Sequence, residues 1–97
     1  ICANDSMALG AMKKFKQEGF DIPDDISIIG FDDIDVASQI VPTLTTINAP
    51  IDDIATHAFS TMKNLINDIE PERQHIAISA KLVIRESCSQ LKTHVEA

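Results

Sequence analysis

The run Ser27-Ile28-Ile29-Gly30-Phe31-Asp32-Asp33 decides how this chain is read. Its β-branched apolar residues lie between Pro23-Asp24-Asp25 upstream and Gly30 with two carboxylates downstream. That pattern predicts a buried strand whose carboxyl end meets solvent. In open α/β sheets ligands collect at that edge, so Asp32 is both a turn former and a candidate site residue.

Just ahead of it, Ile1-Cys2-Ala3-Asn4-Asp5 repeats the arrangement: apolar residues, then Asn and Asp, then a helical pattern. Ala8, Ala11, Met12 and Phe15 recur at helical spacing and predict an amphipathic helix over 6–18, capped by Asn4 or Asp5. Taken alone, Asn4 is more readily a cap than a ligand contact. Lys13, Lys14 and Lys16 suit the end of the helix dipole, and Gly19 suits the left-handed residue that ends it. Strand, helix, short loop and strand make a βαβ unit, which predicts a parallel sheet.

Downstream, residues 34–41 predict a short helix or turn stopped by Pro42, and Leu44-Thr45-Thr46-Ile47-Asn48 predicts another strand. Pro50 is expected in the first turn of the next helix, with Asp52 and Asp53 complementing its positive end. The apolar stripe Ile51, Ile54, Ala55, Ala58, Phe59, Met62, Leu65, Ile66 and Ile69 predicts that this helix packs against a sheet; no site is assigned to it. Residues 70–73 predict a polar turn, 75–78 and 82–84 two strands or one bent strand, and 91–97 a frayed tail.

Composition narrows the function classes. With 44% hydrophobic residues and no long apolar run, the 97 residues describe a soluble α/β domain without a membrane partner. The opening in mid-strand, without Met, reads as a piece of a larger protein. A net charge of −7 argues against a direct grip on phosphate backbones. Cys2 and Cys88 lack metal-ligand spacing and read as a small apolar residue and an inert thiol, while His57, His75 and His94 are scattered. Neither a metal nor a cofactor is expected.

Several motifs together carry a resemblance. Ala3-Asn4-Asp5 leading to Met7-Ala8-Leu9-Gly10, Ile22-Pro23 with 25–33, Pro42 with Leu44-Thr45-Thr46-Ile47 and Pro50, and Leu82-Val83 with Arg85 and Ser87 stand in order over residues 1–90. The chain resembles the C-terminal part of a regulator of the lactose/galactose repressor (LacI/GalR) family. The resemblance implies part of a two-lobe, periplasmic-binding-protein-like effector domain with Rossmann-like parallel sheets. Residues 1–48 and 79–90 would form the C-terminal lobe, and 49–78 would cross over to pack on the N-terminal lobe. The family's helix-turn-helix and hinge helix are absent from this chain.

In function the resemblance implies a cytoplasmic transcriptional repressor, not an enzyme, which binds a small-molecule effector, a sugar or a purine, between its lobes. Operator DNA would be read only through the helix-turn-helix. Asp32 matches the family's effector-contacting aspartate and Asn4 its strand-end polar partner, which leaves Asp5 as the expected helix cap and Asp33 as a turn former or supporting group. A homodimer is implied, with Leu9, Lys13 and Ile40 at its interface; the plain alternative makes Leu9 and Ile40 core residues. A periplasmic sugar-transport receptor shares the fold, but Leu44-Thr45-Thr46-Ile47 and Arg85-Glu86-Ser87 favour the regulator. A Mg²⁺-dependent receiver or phosphatase site at Asp32-Asp33 would also need a strand-end lysine, and none follows a strand in the right place.

Overall fold

A computed structural model describes residues 1–70 and 75–91. The polar turn expected over 70–73 and the tail expected over 91–97 fall almost wholly outside the described residues. The chain divides into a larger unit, residues 1–48 with 82–91, and a smaller one, residues 49–70 with 75–81.

In the larger unit, helix α1 spans Asp5–Gln17 and is capped by Asn4, whose side chain accepts from Met7 N at 2.8 Å. Lys14 and Lys16 sit in the last turn, and Gly19 takes φ +86° beyond it, as the sequence predicts. The helix buries Ala8 and Met12 against Ile28, Ala37 and Leu44, and Phe15, Ile22, Ile26 and Ile40 pack around this core. Phe15 and Phe20 meet edge to face, their centroids 5.8 Å apart.

The segment read as the central strand is extended, but it is stitched by single bonds. Cys2 N donates to Ile29 O, Asp5 N to Phe31 O, Gly30 N to Thr45 O and Asp32 N to Ile47 O. Ile29 and Thr45 form an isolated parallel bridge. Among the described residues the only regular strands are β1, Thr46–Asn48, and β2, Lys81–Val83, paired in one two-stranded sheet. The expected strand over 44–48 is therefore shorter, the expected strand over 82–84 starts one residue early and stops one early, and no strand forms over 75–78. A 3-10 turn, Asp35–Ser38, fills the region before Pro42.

Ser87 supplies what the short ladder lacks. Its fully buried hydroxyl donates to Ile28 O at 2.6 Å and accepts from Thr45 N at 2.8 Å, bracing the two segments beside the isolated bridge of Ile29 and Thr45. Cys88 Sγ also contacts Ile28 O, at 3.3 Å, and both cysteines are free thiols, half-buried rather than fully buried.

In the smaller unit, helix α2 spans Ile51–Ile66. Pro50 is the cap residue itself, not a first-turn residue, and Asp52 and Asp53 occupy the first turn. The helix ends at Asn67, and Asp68 turns the chain at φ +58°, so Ile69 lies outside the helical stripe. The expected packing of this stripe on a sheet is not seen: no residue of α2 is buried. Ile76 and Ile78 line one groove of this unit together with Ile54, Met62 and Leu65. Among the described residues no helix is long and apolar enough to cross a membrane.

Candidate functional site

The site is built on the turn Asp32-Asp33-Ile34, where the extended segment 27–31 ends. Asp32 has φ +118° and Asp33 φ +57°. The second is the left-handed region that Asp tolerates; the first is rare for any L-residue, and such geometry costs about 1–3 kcal/mol. Three successive amides hold it in place. Asp32 N donates to Ile47 O at 2.9 Å, Asp33 N to Thr46 Oγ1 at 3.3 Å, and Ile34 N to Asp5 Oδ2 at 2.9 Å. At about 0.5–1.5 kcal/mol each, these bonds are together of the size needed to offset the unfavourable backbone.

Asp5 is the hidden support. It is fully buried, and its Oδ1 accepts from Thr46 Oγ1 at 2.6 Å while Oδ2 takes the Ile34 amide. A carboxylate out of water without donors would cost several kcal/mol, on the order of 2–7 even for a neutral polar group, so these bonds decide its place. The expectation that Asp5 caps α1 is corrected here: Asn4 is the cap, and Asp5 points into the interior. Adjacent Asn and Asp have similar capping strength, so the choice fell to Thr46, far away in sequence. Asn4 spends its Oδ1 on Met7 N and is half-buried beside the same turn.

Asp33 forms the other half of the support. Its Oδ1 lies 2.7 Å from Arg85 Nη2 and its Oδ2 accepts from Asn48 Nδ2 at 2.9 Å. The Asn48 bond and then the Arg85 guanidinium hold this carboxyl below the usual carboxylate range. Arg85 also donates from Nη1 to Leu44 O at 2.9 Å. Nearby, the Glu86 carboxylate accepts from both the amide and the hydroxyl of Thr43, which likewise lowers its pKa.

Asp32 differs from both neighbours. Its side chain is exposed, and its carboxylate has no hydrogen-bond partner among the described residues. The arrangement thus offers a solvent-facing acceptor on a rigidly tied turn, suited to two hydroxyl or amine hydrogens of a polar ligand. The supporting residues Asp5, Thr46 and Arg85 were not legible as such; Gly30, set between Ile29 and Phe31, was the one local hint of a close approach.

Leu9, Lys13 and Ile40 come together elsewhere on the larger unit. With Met12, Lys16 and Val41 they line a shallow groove of about 320 Å³, and the Lys16 ammonium donates to the Val41 carbonyl. Leu9 and Ile40 are half-buried, and Ile40 also packs against the core.

Residues 1–88 match the model of the periplasmic binding protein-like domain. The chain belongs to this family. The HTH-type transcriptional repressor PurR of Vibrio campbellii is 39% identical over 91 residues, which are 94% of this chain and 27% of that protein. A solved LacI-type transcription regulator from Bifidobacterium animalis subsp. lactis superposes with a TM-score of 0.77 at 36% identity, over 90% of this chain and 31% of its own. A LacI family transcriptional regulator from Enterococcus faecium, solved with bound ribose, gives a TM-score of 0.77 at 33% identity, over 93% and 34%. The periplasmic binding protein-like chain thus spans between a quarter and a third of the relatives it matches, and the resemblance to the lactose/galactose repressor family holds. These relatives are transcription regulators, not transport receptors or phosphoryl-transfer domains.

Proposed function

We propose that this chain is the effector-sensing and dimerising part of a LacI-type transcriptional repressor. Asp32 accepts hydrogens from a small-molecule effector, a sugar first, and Asn4 lends its remaining amide group to the same ligand. The observation that carries this reading is the contrast at the strand end: Asp5 and Asp33 are committed to protein donors, and Asp32 faces solvent with no donor among the described residues.

In this reading residues 1–48 and 79–90 contribute to one Rossmann-like lobe with a parallel sheet, and 49–78 pack on a second lobe. The bare apolar stripe of α2 supports a partner of that kind. The groove bearing Leu9, Lys13 and Ile40 is the homodimer contact. Effector binding shifts the relative setting of the lobes and, through the dimer, the spacing of two DNA-reading heads outside this chain, in the cytoplasm and without covalent chemistry. The ligand can move that balance only by its differential affinity for the two settings.

The test is thermal unfolding of the intact protein, wild type and Asp32→Ala, against monosaccharides including D-ribose, disaccharides, sugar phosphates and purines. A ligand at a hundred times its Kd adds about 2.7 kcal/mol of stability. Stabilisation of the wild type that disappears in Asp32→Ala is the expected result. Equal stabilisation of both proteins overturns the role of Asp32.

A further inference from the structure

The carboxylate of Asp33 accepts from two directions, Asn48 Nδ2 at 2.9 Å and Arg85 Nη2 at 2.7 Å. Asn48 ends β1 and is the last residue before the chain leaves the larger unit; Arg85 follows β2, soon after the chain returns. One carboxylate therefore holds the outgoing and the returning strand to the turn that presents Asp32. The backbone of the turn has other partners. Its three amides are already satisfied by Ile47, Thr46 and Asp5.

The pair is sheltered, with side-chain exposures of 19% for Arg85 and 15% for Asp33, so salt screens it less than a surface pair. Arg85 is further oriented by its second nitrogen on Leu44 O and by its own amide on Thr45 Oγ1, both at 2.9 Å. A guanidinium held at two points transmits displacement better than a flexible ammonium would.

We propose that Asp33 is a positioning residue: through Arg85 and Asn48 it couples the placement of the Asp32 carboxylate to the two strand ends where the chain leaves and rejoins the larger unit. What Asp32 binds rests on the effector reading above; the clasp is a property of this unit alone. By linkage, a ligand that fixes Asp32 biases both strand ends, and whatever moves either strand end changes the site by the same factor.

Hydrogen–deuterium exchange on the intact, ligand-free protein tests it, comparing wild type with Asp33→Asn, Arg85→Met, the double variant and Arg85→Lys. Asp33→Asn and Arg85→Met are each expected to speed exchange about tenfold at residues 32–34, 47–49 and 84–86 together. The double variant is expected to be no faster than either single one, and Arg85→Lys to recover part of the protection. Unchanged exchange at Ala8 to Met12 in α1 shows that the fold is intact, and if Arg85→Met unfolds, Asp33→Asn and Arg85→Lys make the same comparison. Acceleration confined to the segment substituted, or additive effects, overturns the proposal. Because no ligand is used, coupled exchange in a protein that answers no effector overturns the effector reading alone. A ligand response with uncoupled exchange overturns the clasp alone.

Discussion

Gly30 and Asp5 are packed so closely that a Cβ on Gly30 would lie 2.1 Å from Asp5 Oδ1. The central extended segment thus passes directly beneath the one fully buried carboxylate of the larger unit, and the absence of a side chain at Gly30 is what leaves room for it.

Gly30→Ala follows from that contact. Asp5 cannot retreat without giving up Thr46 Oγ1 and the Ile34 amide, so the added methyl costs about 3 kcal/mol or more, the upper end of overpacking. Chemical denaturation of the intact protein reads this as a lower midpoint. A variant within about 0.5 kcal/mol of wild type would show that the close approach is dispensable.

Ser87→Ala removes the hydroxyl that serves two buried backbone groups, Thr45 N and Ile28 O, the second of which keeps Cys88 Sγ at 3.3 Å. At about 1–3 kcal/mol for an unsatisfied buried group, a loss of about 2 kcal/mol is expected in the same measurement. Ser27→Ala is the control, because that hydroxyl is exposed and its bonds to Ser89 are long, at 3.1 and 3.5 Å; it is expected to stay near wild type.

Asn4 separates its two roles by substitution. Asn4→Ala loses the cap on Met7 N and costs about 1 kcal/mol, whereas Asn4→Ser keeps a capping oxygen and the stability. If the amide also contacts effector, Asn4→Ser leaves the ligand-free melting temperature unchanged and weakens the ligand-induced rise. An undiminished rise in Asn4→Ser would leave Asn4 as a cap only.

Asp33 makes stability depend on pH with a definite sign. Its folded pKa is depressed, first by the Asn48 bond and then by Arg85. Its contribution is therefore complete above the unfolded value of about 4 and is lost as pH falls through the lower folded value. The stability gap between wild type and Asp33→Asn is expected to be widest at neutral pH and to shrink below about pH 4. Subtracting the variant removes the contributions common to both proteins. A gap unaltered by acid would count against the ion pair.

Ile40→Asp places a charge in the groove shared with Leu9 and Met12. Sedimentation of the intact protein is expected to show dimer for wild type and monomer for the variant, with the monomer's melting transition still cooperative. A variant that remains dimeric removes this groove from the interface.

Much of the local architecture was legible because its causes are local. The apolar spacing, the lysines and Gly19 placed α1 within a residue of Asp5–Gln17, since capping and dipole preferences act within a turn. Pro42 and Pro50 bounded the strand between them, whose regular part is Thr46–Asn48, paired with β2 alone among the described residues. The stripe on α2 announced a helix with one apolar face, but its periodicity says nothing of what lies opposite it.

The residues alone thus determined the helices, the turn residues and the strand end at which Asp32 stands. Only the tertiary structure decided which of Asn4 and Asp5 caps the helix, that Ser87 bridges Ile28 to Thr45, and that Arg85 reaches Asp33. The reason is physical. Caps and glycine turns are settled by bonds between near neighbours in the chain, while a buried polar group takes whichever partner the packed interior brings within hydrogen-bond distance, here Thr46 for Asp5 and Arg85 for Asp33.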